Sequence, residues 1–197
     1  MATNRPEPDA FDLDFTGIFR VEDLRPEPPP AAPERPPEDI VIGARAVKKG
    51  SCFINMSRAR AARQVDPAKT TILLVEDDTA TRLILDAVCR KAGYRTREAA
   101  DAPGFVAAIQ KPPLPDAVVL DVELPGNVSG FKILAKMRLH PALKTLPVIM
   151  LTAHSEAADL MQAVSLGADA YLTKPASARA LLDAIGAVLG ASSPAQA

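Results

Sequence analysis

The sequence predicts an α/β domain: a doubly wound, five-stranded parallel sheet of (βα)5 form, preceded by a long extension. From about residue 70 onward, short runs rich in Val, Ile and Leu alternate with stretches of helical periodicity. The central runs are apolar throughout, as strands covered by helices on both faces must be. Proline is concentrated before this pattern, because ten of the nineteen prolines precede residue 68. We therefore expect a folded domain over residues 68–190 and a disordered tail over 191–197.

Residues 1–67 form the predicted extension. Its first 39 residues carry ten acids against four arginines, a composition typical of disordered chains. Within it, residues 11–19 hold a cluster of five large apolar side chains. This cluster is typical either of a docking motif that orders on a partner or of a segment that folds back onto the following domain. The basic stretch 44–63 has no acid; we expect a solvated linker, with an acidic partner, RNA or a membrane surface as alternatives.

The strands and helices follow in alternation. The predicted strands are Thr70–Val75, Tyr94–Glu98 (at a sheet edge), Ala117–Leu120, Val148–Thr152 and Ala170–Thr173. The predicted helices are Thr79–Ala92, Ala102–Gln110, Ser129–Leu139, Glu156–Leu166 and Ser177–Leu189. Gly93 and Gly167 are expected to end the first and fourth helices, because glycine readily adopts the left-handed backbone found there. Pro112 and Pro113 end the second helix, since proline cannot continue the hydrogen-bond pattern.

Composition excludes several classes of protein. The formal net charge is −1 and the pI is about 6.1, so no general attraction to nucleic acid or membranes is expected. Cys52 and Cys89 lie far apart without metal-ligand spacing, which argues against a zinc site or a disulfide framework. No apolar run approaches the roughly 20 residues of a transmembrane helix. We expect a soluble, cytoplasmic protein with no transmembrane segment.

Charged and polar residues stand where the predicted strands end. Glu76 and Asp77 follow the first strand, Asp121 the third, and Lys174 the fifth, while Thr152 ends the fourth. Ligands of such sheets bind beyond the carboxyl ends of the strands, so these side chains should meet in one crevice. Clustered carboxylates repel each other unless a cation lies among them. Oxygen ligands of this kind suit Mg²⁺, which keeps positions open for a phosphoryl oxygen.

These residue types predict a phosphoryl-transfer site. Asp121 is a carboxylate nucleophile of the kind that forms acyl phosphates. Asp77, aided by Glu76, and the backbone carbonyl of Glu123 would hold Mg²⁺ beside Asp121, where the metal neutralises the charge of the transferring group.

The remaining groups at this edge have narrower predicted roles. Lys174 would donate hydrogen bonds to the phosphoryl oxygens, and Thr152 would donate its hydroxyl to the product phosphate. Pro175 favours a cis peptide that aims Lys174 back into the site. Asp78 is expected to cap the helix beginning at Thr79 rather than to bind metal.

Four segments, LLVEDD, VVLDVELPG, VIMLTA and YLTKP, resemble in order and spacing the signature segments of response-regulator receiver domains. The resemblance covers about residues 70–190 and implies a flavodoxin-like fold in a two-component system or phosphorelay. It implies that Asp121 is the phosphoacceptor, Asp77 a metal ligand, Thr152 the switch hydroxyl and Lys174 the invariant lysine. Tyr171 corresponds to the family's switch aromatic, which turns inward on phosphorylation; a purely packing role is the alternative. Loop 125–130 is one residue longer than usual, with an effect whose direction we do not predict.

The predicted function is that of a stand-alone receiver, phosphorylated on Asp121 in a Mg²⁺-dependent reaction by a histidine kinase or histidine phosphotransfer protein. About seven residues follow the last helix, so we expect no DNA-binding domain there and output through protein–protein contact, in which residues 11–19 are a candidate surface. We expect a signalling domain rather than an enzyme, apart from exchange of phosphate with small donors or water. One alternative is a Mg²⁺-dependent phosphohydrolase with Glu123 as acid/base; another is a phosphorylation-independent pseudo-receiver.

Overall fold

The computed structural model describes residues 52–55, 58, 60–61, 64–153 and 157–191. Most of the predicted extension lies outside these residues, including the apolar cluster at 11–19 and the first part of the basic stretch 44–63. The predicted tail lies outside them as well, except for Ala191. The fold is therefore that of residues 52–55, 58 and 60–61 of the basic stretch and of the domain that follows it.

Strands and helices alternate along the described residues, as the sequence predicts. The strands are β1 (Cys52–Ile54), β2 (Thr71–Val75), β3 (Arg95–Ala99), β4 (Ala117–Asp121), β5 (Glu123–Leu124), β6 (Val128–Ser129), β7 (Val148–Thr152) and β8 (Ala170–Thr173). The helices are α1 (Thr79–Lys91), α2 (Ala102–Gln110), α3 (Gly130–Leu139), α4 (Ala157–Ser165) and α5 (Ala178–Leu189). All five predicted strands and all five predicted helices are present, with small shifts at their ends.

The main sheet has six strands in the order β1-β8-β7-β4-β2-β3. The five predicted strands are parallel, with β3 at one edge. At the other edge β1 pairs antiparallel with β8, and Phe53 lies opposite Tyr171. The expectation of a solvated linker over 44–63 is therefore wrong for residues 52–54. A three-residue strand carries too little alternation to be predicted from sequence, because its pairing with β8 is a tertiary interaction.

Two hydrophobic layers cover the sheet, one on each face. On one face, strand residues such as Leu73, Leu120 and Met150 pack with Phe105 of α2 and Leu134 of α3. On the other face, the alternate strand residues, such as Leu74, Val119 and Leu151, pack with Leu85 of α1 and Leu181 of α5. Because successive strand residues point to opposite faces, continuous apolar runs build both layers at once. Among the described residues, none of the helices combines the length and apolarity needed to cross a bilayer.

Caps and turns fix the loops that carry the polar residues. The Asp78 carboxylate accepts a hydrogen bond of 2.7 Å from the backbone N–H of Thr81, so the predicted N-cap of α1 is confirmed. Gly93 and Gly167 follow α1 and α4 with φ of 89° and 83°, which confirms their predicted place at helix ends. The Lys174–Pro175 peptide is cis, as predicted.

Candidate functional site

Lys174 joins two acidic residues at the carboxyl edge of the sheet. Its ammonium Nζ lies 2.7 Å from Oδ2 of Asp121, at the end of β4, and 2.8 Å from Oε1 of Glu76, which follows β2. Both carboxylates are buried, with Glu76 fully inaccessible and Asp121 3% exposed. The structure therefore brings together three of the residues that the sequence placed in one crevice.

Asp77 completes a set of oxygen ligands. One carboxylate oxygen from each of Glu76, Asp77 and Asp121 can be chosen so that all lie within 4.8 Å of one another. Asp77 is exposed, whereas the other two are buried. Oε2 of Glu76 lies 2.7 Å from Nζ of Lys174 but makes no hydrogen bond of acceptable geometry, so this buried oxygen retains unused acceptor capacity. A donor set of carboxylate oxygens open to solvent on one side fits Mg²⁺.

Burial and charge set the protonation of the two buried partners. Desolvation raises the pKa of Glu76 above its usual value, and the charge of Asp121 acts in the same direction, while the hydrogen bond from Lys174 opposes both. Burial alone would lower the pKa of the Lys174 ammonium. Its hydrogen bonds to Asp121 and Glu76 and the charges of both carboxylates outweigh burial, so the pKa of Lys174 is raised. The lysine is thus held as a cation between the two acids.

Thr152 and Tyr171 lie next to this cluster. The fully buried Thr152 ends β7, and its carbonyl accepts a hydrogen bond of 2.6 Å from the backbone N–H of Lys174. Tyr171 is only 3% exposed and faces inward. Burial raises the pKa of the Tyr171 phenol to about 12; the charge of Asp159 adds to this effect, and a hydrogen bond with the Thr152 side chain opposes it. The two predicted switch residues are therefore in contact.

Glu123 follows the predicted nucleophile in a short hairpin. Its backbone N–H donates a hydrogen bond of 3.3 Å to Oδ1 of Asp121. Strands β5 and β6 pair across a turn in which Gly126 and Asn127 have positive φ, so the longer loop is an ordered hairpin. The proposed use of the Glu123 carbonyl as a metal ligand stays a prediction.

Arg82 is a site residue that the sequence reasoning missed. Its guanidinium donates to the backbone carbonyls of Glu76 and Asp77, at 2.7 and 3.1 Å, and pairs with Glu98 of β3 at 3.3 Å. It thereby ties the loop that carries both acids to the neighbouring strand. The sequence does place an arginine in the first turn of α1, where the helix macrodipole disfavours a positive charge. An arginine at such a position indicates a specific contact.

Gly130 was also missed. A Cβ atom at this position would lie 2.1 Å from the carbonyl oxygen of Asp121, closer than any real contact. The N–H of Gly130 also donates to the carbonyl of Val122 at 2.8 Å. The start of α3 therefore packs directly on the backbone that carries Asp121, and only glycine permits this approach. The sequence signal was a glycine at a predicted helix start.

An apolar surface borders the site. Leu83 and Ile84 of α1 are 58% and 62% exposed, although most large apolar residues of the domain are buried. Ile84 also lines a groove that continues past Lys174 and Pro175. These two neighbouring side chains give α1 a small apolar surface near the site.

Comparison with known proteins places the chain among similar sequences and structures. A family model described as response regulator receiver domain matches residues 72–186. The chain is 40% identical over 119 residues to the transcriptional regulatory protein GltR of Pseudomonas aeruginosa, covering 60% of this chain and 48% of GltR. It is 36% identical over 123 residues to the phosphate regulon transcriptional regulatory protein PhoB of Escherichia coli, covering 62% and 53%. The match therefore spans about half the length of these relatives.

Solved structures agree with the sequence matches. A putative response regulator from Chloroflexus aurantiacus superposes with a TM-score of 0.57 at 38% identity, covering 61% of this chain and 97% of that one. The receiver domain of a sensor histidine kinase from Pseudomonas aeruginosa has a TM-score of 0.55 at 28% identity, covering 61% and 98%; it holds a magnesium ion in its active site cleft.

Proposed function

Because the chain belongs to the response regulator receiver family, we propose that Asp121 accepts a phosphoryl group from a phosphohistidine and that a protein partner reads the change. The donor is a histidine kinase or a histidine phosphotransfer protein. One observation carries the proposal: Nζ of Lys174 lies 2.7 Å from Asp121 and from Glu76, with Asp77 close enough to share a cation with both.

The chemistry needs little beyond positioning and charge. An oxygen of Asp121 attacks phosphorus, the P–N bond of the phosphohistidine breaks, and the imidazole nitrogen leaves with the electron pair. The product is an acyl phosphate on Asp121. Mg²⁺, when held by Asp77, Glu76, Asp121 and the carbonyl of Glu123, would neutralise charge on the phosphoryl oxygens.

Lys174 and Thr152 then hold the product. The Lys174 ammonium can transfer a hydrogen bond from Asp121 to a phosphoryl oxygen while keeping its contact with Glu76. Thr152 can turn its hydroxyl from Tyr171 towards the new phosphate. Tyr171 would then lose its hydrogen bond with Thr152, and in this way phosphorylation of Asp121 would change the contacts of Tyr171. The dianionic product thus rearranges contacts on β7 and β8.

The surface of α1 supports a protein donor. Leu83 and Ile84 are exposed on α1, and Ile84 lines the groove that reaches Lys174, so a partner helix lying on this part of α1 would bring its histidine to Asp121. For output, we infer that the receiver domain signals through protein–protein contact.

The test is phosphorylation by acetyl phosphate with Mg²⁺, followed by intact mass. The wild type should gain one phosphoryl group, and Asp121→Asn should gain none. Asp183→Asn is the matched control, because Asp183 is an exposed acid paired with Arg179 on α5. Chelation by EDTA should abolish the reaction. Equal labelling of Asp121→Asn, or no labelling of the wild type, would reject the proposal; multiple turnover of small phosphate esters would favour a phosphohydrolase instead.

A further inference from the structure

Strand β1 contacts the strand that carries Tyr171. The segment lies before residues 72–186, which the family model matches. Phe53 of β1 is 6% exposed and is the register partner of Tyr171 in β8. Direct antiparallel partners have Cβ atoms about 4.5–5.5 Å apart, on the same face of the sheet. Both rings belong to the hydrophobic layer that α2, α3 and α4 cover.

Buried hydrogen bonds anchor β1 at its C-terminal end. The backbone N–H of Asn55 donates to the carbonyl of Asp169 at 2.9 Å, and its side-chain amide donates to the carbonyl of Ala168 at 3.0 Å. Arg58 pairs with the Asp169 carboxylate at 3.0 Å, and Arg138 binds the other oxygen at 2.8 Å. These contacts fix the position of β1 against the start of β8. They therefore also fix where Phe53 meets Tyr171.

We propose that Phe53 is a positioning residue of the switch: it holds the ring of Tyr171 inward and so favours the arrangement of the site in which the Thr152 hydroxyl turns to the phosphoryl group. Without β1, the outer edge of β8 would have no neighbouring strand, and the ring of Tyr171 would lose packing on that side. An aromatic neighbour at a fixed register limits the rotamers open to the tyrosine. This inference rests on the proposed function of Asp121 and Thr152.

Linkage makes the proposal reciprocal. If docked β1 favours the phosphorylated site, then phosphorylation must favour docking of β1 by the same factor. Strand β1 is thereby coupled to the state of Asp121, although it lies on the opposite side of β8 from β7. Phosphorylation should slow hydrogen exchange at the amide of Asn55, whose N–H is bonded to Asp169.

The experiment follows Tyr171 in the full-length chain. The protein has no Trp and two Tyr, so a Tyr94→Phe background leaves Tyr171 as the one tyrosine fluorophore. In this background, Phe53→Ala should increase acrylamide quenching of Tyr171 and lower the rate of phosphorylation by acetyl phosphate about fivefold, the size of effect that residues packed behind a site can have on it. Phe53→Leu should restore much of both. In Tyr171→Ala protein, Phe53→Ala should have little further effect on the rate.

Ile54→Ala is the matched control. Ile54 is the neighbouring residue of β1, but it packs on the opposite layer of the sheet. Quenching and rate that are unchanged in Phe53→Ala, or changed equally in Ile54→Ala, would overturn the proposal. If the wild type gains no phosphoryl group, the proposed function fails, while the quenching comparison still decides whether Phe53 positions Tyr171.

Discussion

At the scale of single residues, Glu76 combines full burial with a negative charge. Its pKa is raised by desolvation, so the folded state binds this proton more tightly than the unfolded chain does. The resulting stabilisation of the folded state is complete when the pH is below the pKa of Glu76 in the unfolded chain, near 4.5. It is lost as the pH rises through the higher pKa that Glu76 has in the folded protein. The Lys174 contact limits the loss but does not cancel it.

We therefore expect the stability advantage of the wild type over Glu76→Gln to shrink as pH rises above 4.5. The free energy of unfolding of both proteins, from urea titrations in EDTA at a series of pH values, measures this directly. Asp183→Asn is the control, because Asp183 is an exposed acid on α5 that pairs with Arg179 and does not contact Glu76 or its loop. A difference between wild type and Glu76→Gln that stays constant over this range would contradict the prediction.

Arg82 gives a second prediction at this scale. Its bonds to the carbonyls of Glu76 and Asp77 orient the loop that would hold Mg²⁺ without placing a ligand on the metal. Loss of such outer contacts typically weakens metal binding, and we expect Arg82→Ala to raise the Kd for Mg²⁺ about tenfold. Isothermal titration would measure the Kd. Arg179→Ala, which removes an exposed arginine of α5, should bind as the wild type does; equal Kd values for all three proteins would show that Arg82 does not position the loop.

At the scale of elements, the start of α3 depends on Gly130. Its ideal Cβ would overlap the Asp121 carbonyl oxygen at 2.1 Å, and that atom belongs to a strand buried along its whole length. Gly130→Ala should therefore destabilise the domain by about 2 kcal/mol or more, because α3 or β4 must shift. It should also slow phosphorylation, since the same shift moves Asp121. Urea denaturation and the acetyl phosphate assay measure the two effects.

Gly186→Ala is the control for Gly130→Ala. Gly186 lies inside α5, and beyond the backbone of its own helix the nearest atom to the new Cβ would be Cβ of Ala191 at 3.8 Å, an ordinary contact. Alanine is the better helix former by about 1 kcal/mol, so this variant should be neutral or more stable. Similar losses of stability in the two variants would contradict the prediction, because they would show that the close contact between position 130 and the Asp121 carbonyl has no special cost.

Elements differ in how far the sequence predicts them. The five long strands and five helices have apolar runs or helical periodicity that depend on local residues alone, so their existence and order could be predicted. β1, β5 and β6 could not, because two or three residues carry no periodicity and their pairing is decided by tertiary contacts. The site follows the same division. Glu76, Asp121 and Lys174 stand at or directly after the ends of predicted strands and could be placed, whereas Arg82 and Gly130 act through close contacts with backbone carbonyls, which no residue pattern reveals.

At the scale of the whole molecule, metal binding by Glu76, Asp77 and Asp121 should increase the stability of the folded domain. A ligand that binds only the folded state stabilises it by about 2.7 kcal/mol at 100 times its Kd. Saturating Mg²⁺ should therefore raise the Tm of the wild type clearly and that of Asp77→Asn much less. Asp78→Asn is the matched control, because Asp78 is exposed in the same loop but caps α1. Equal increases in all three proteins would show that Mg²⁺ binds elsewhere.

The sixth strand has a practical consequence for work on this domain. A fragment that begins after β1 would leave the N–H and C=O groups on the outer edge of β8 without a partner strand and Asp169 without Arg58. Bare strand edges recruit other chains. Such a fragment should self-associate at concentrations where the full chain does not, and any dimer seen with it would reflect the trimming rather than the signal.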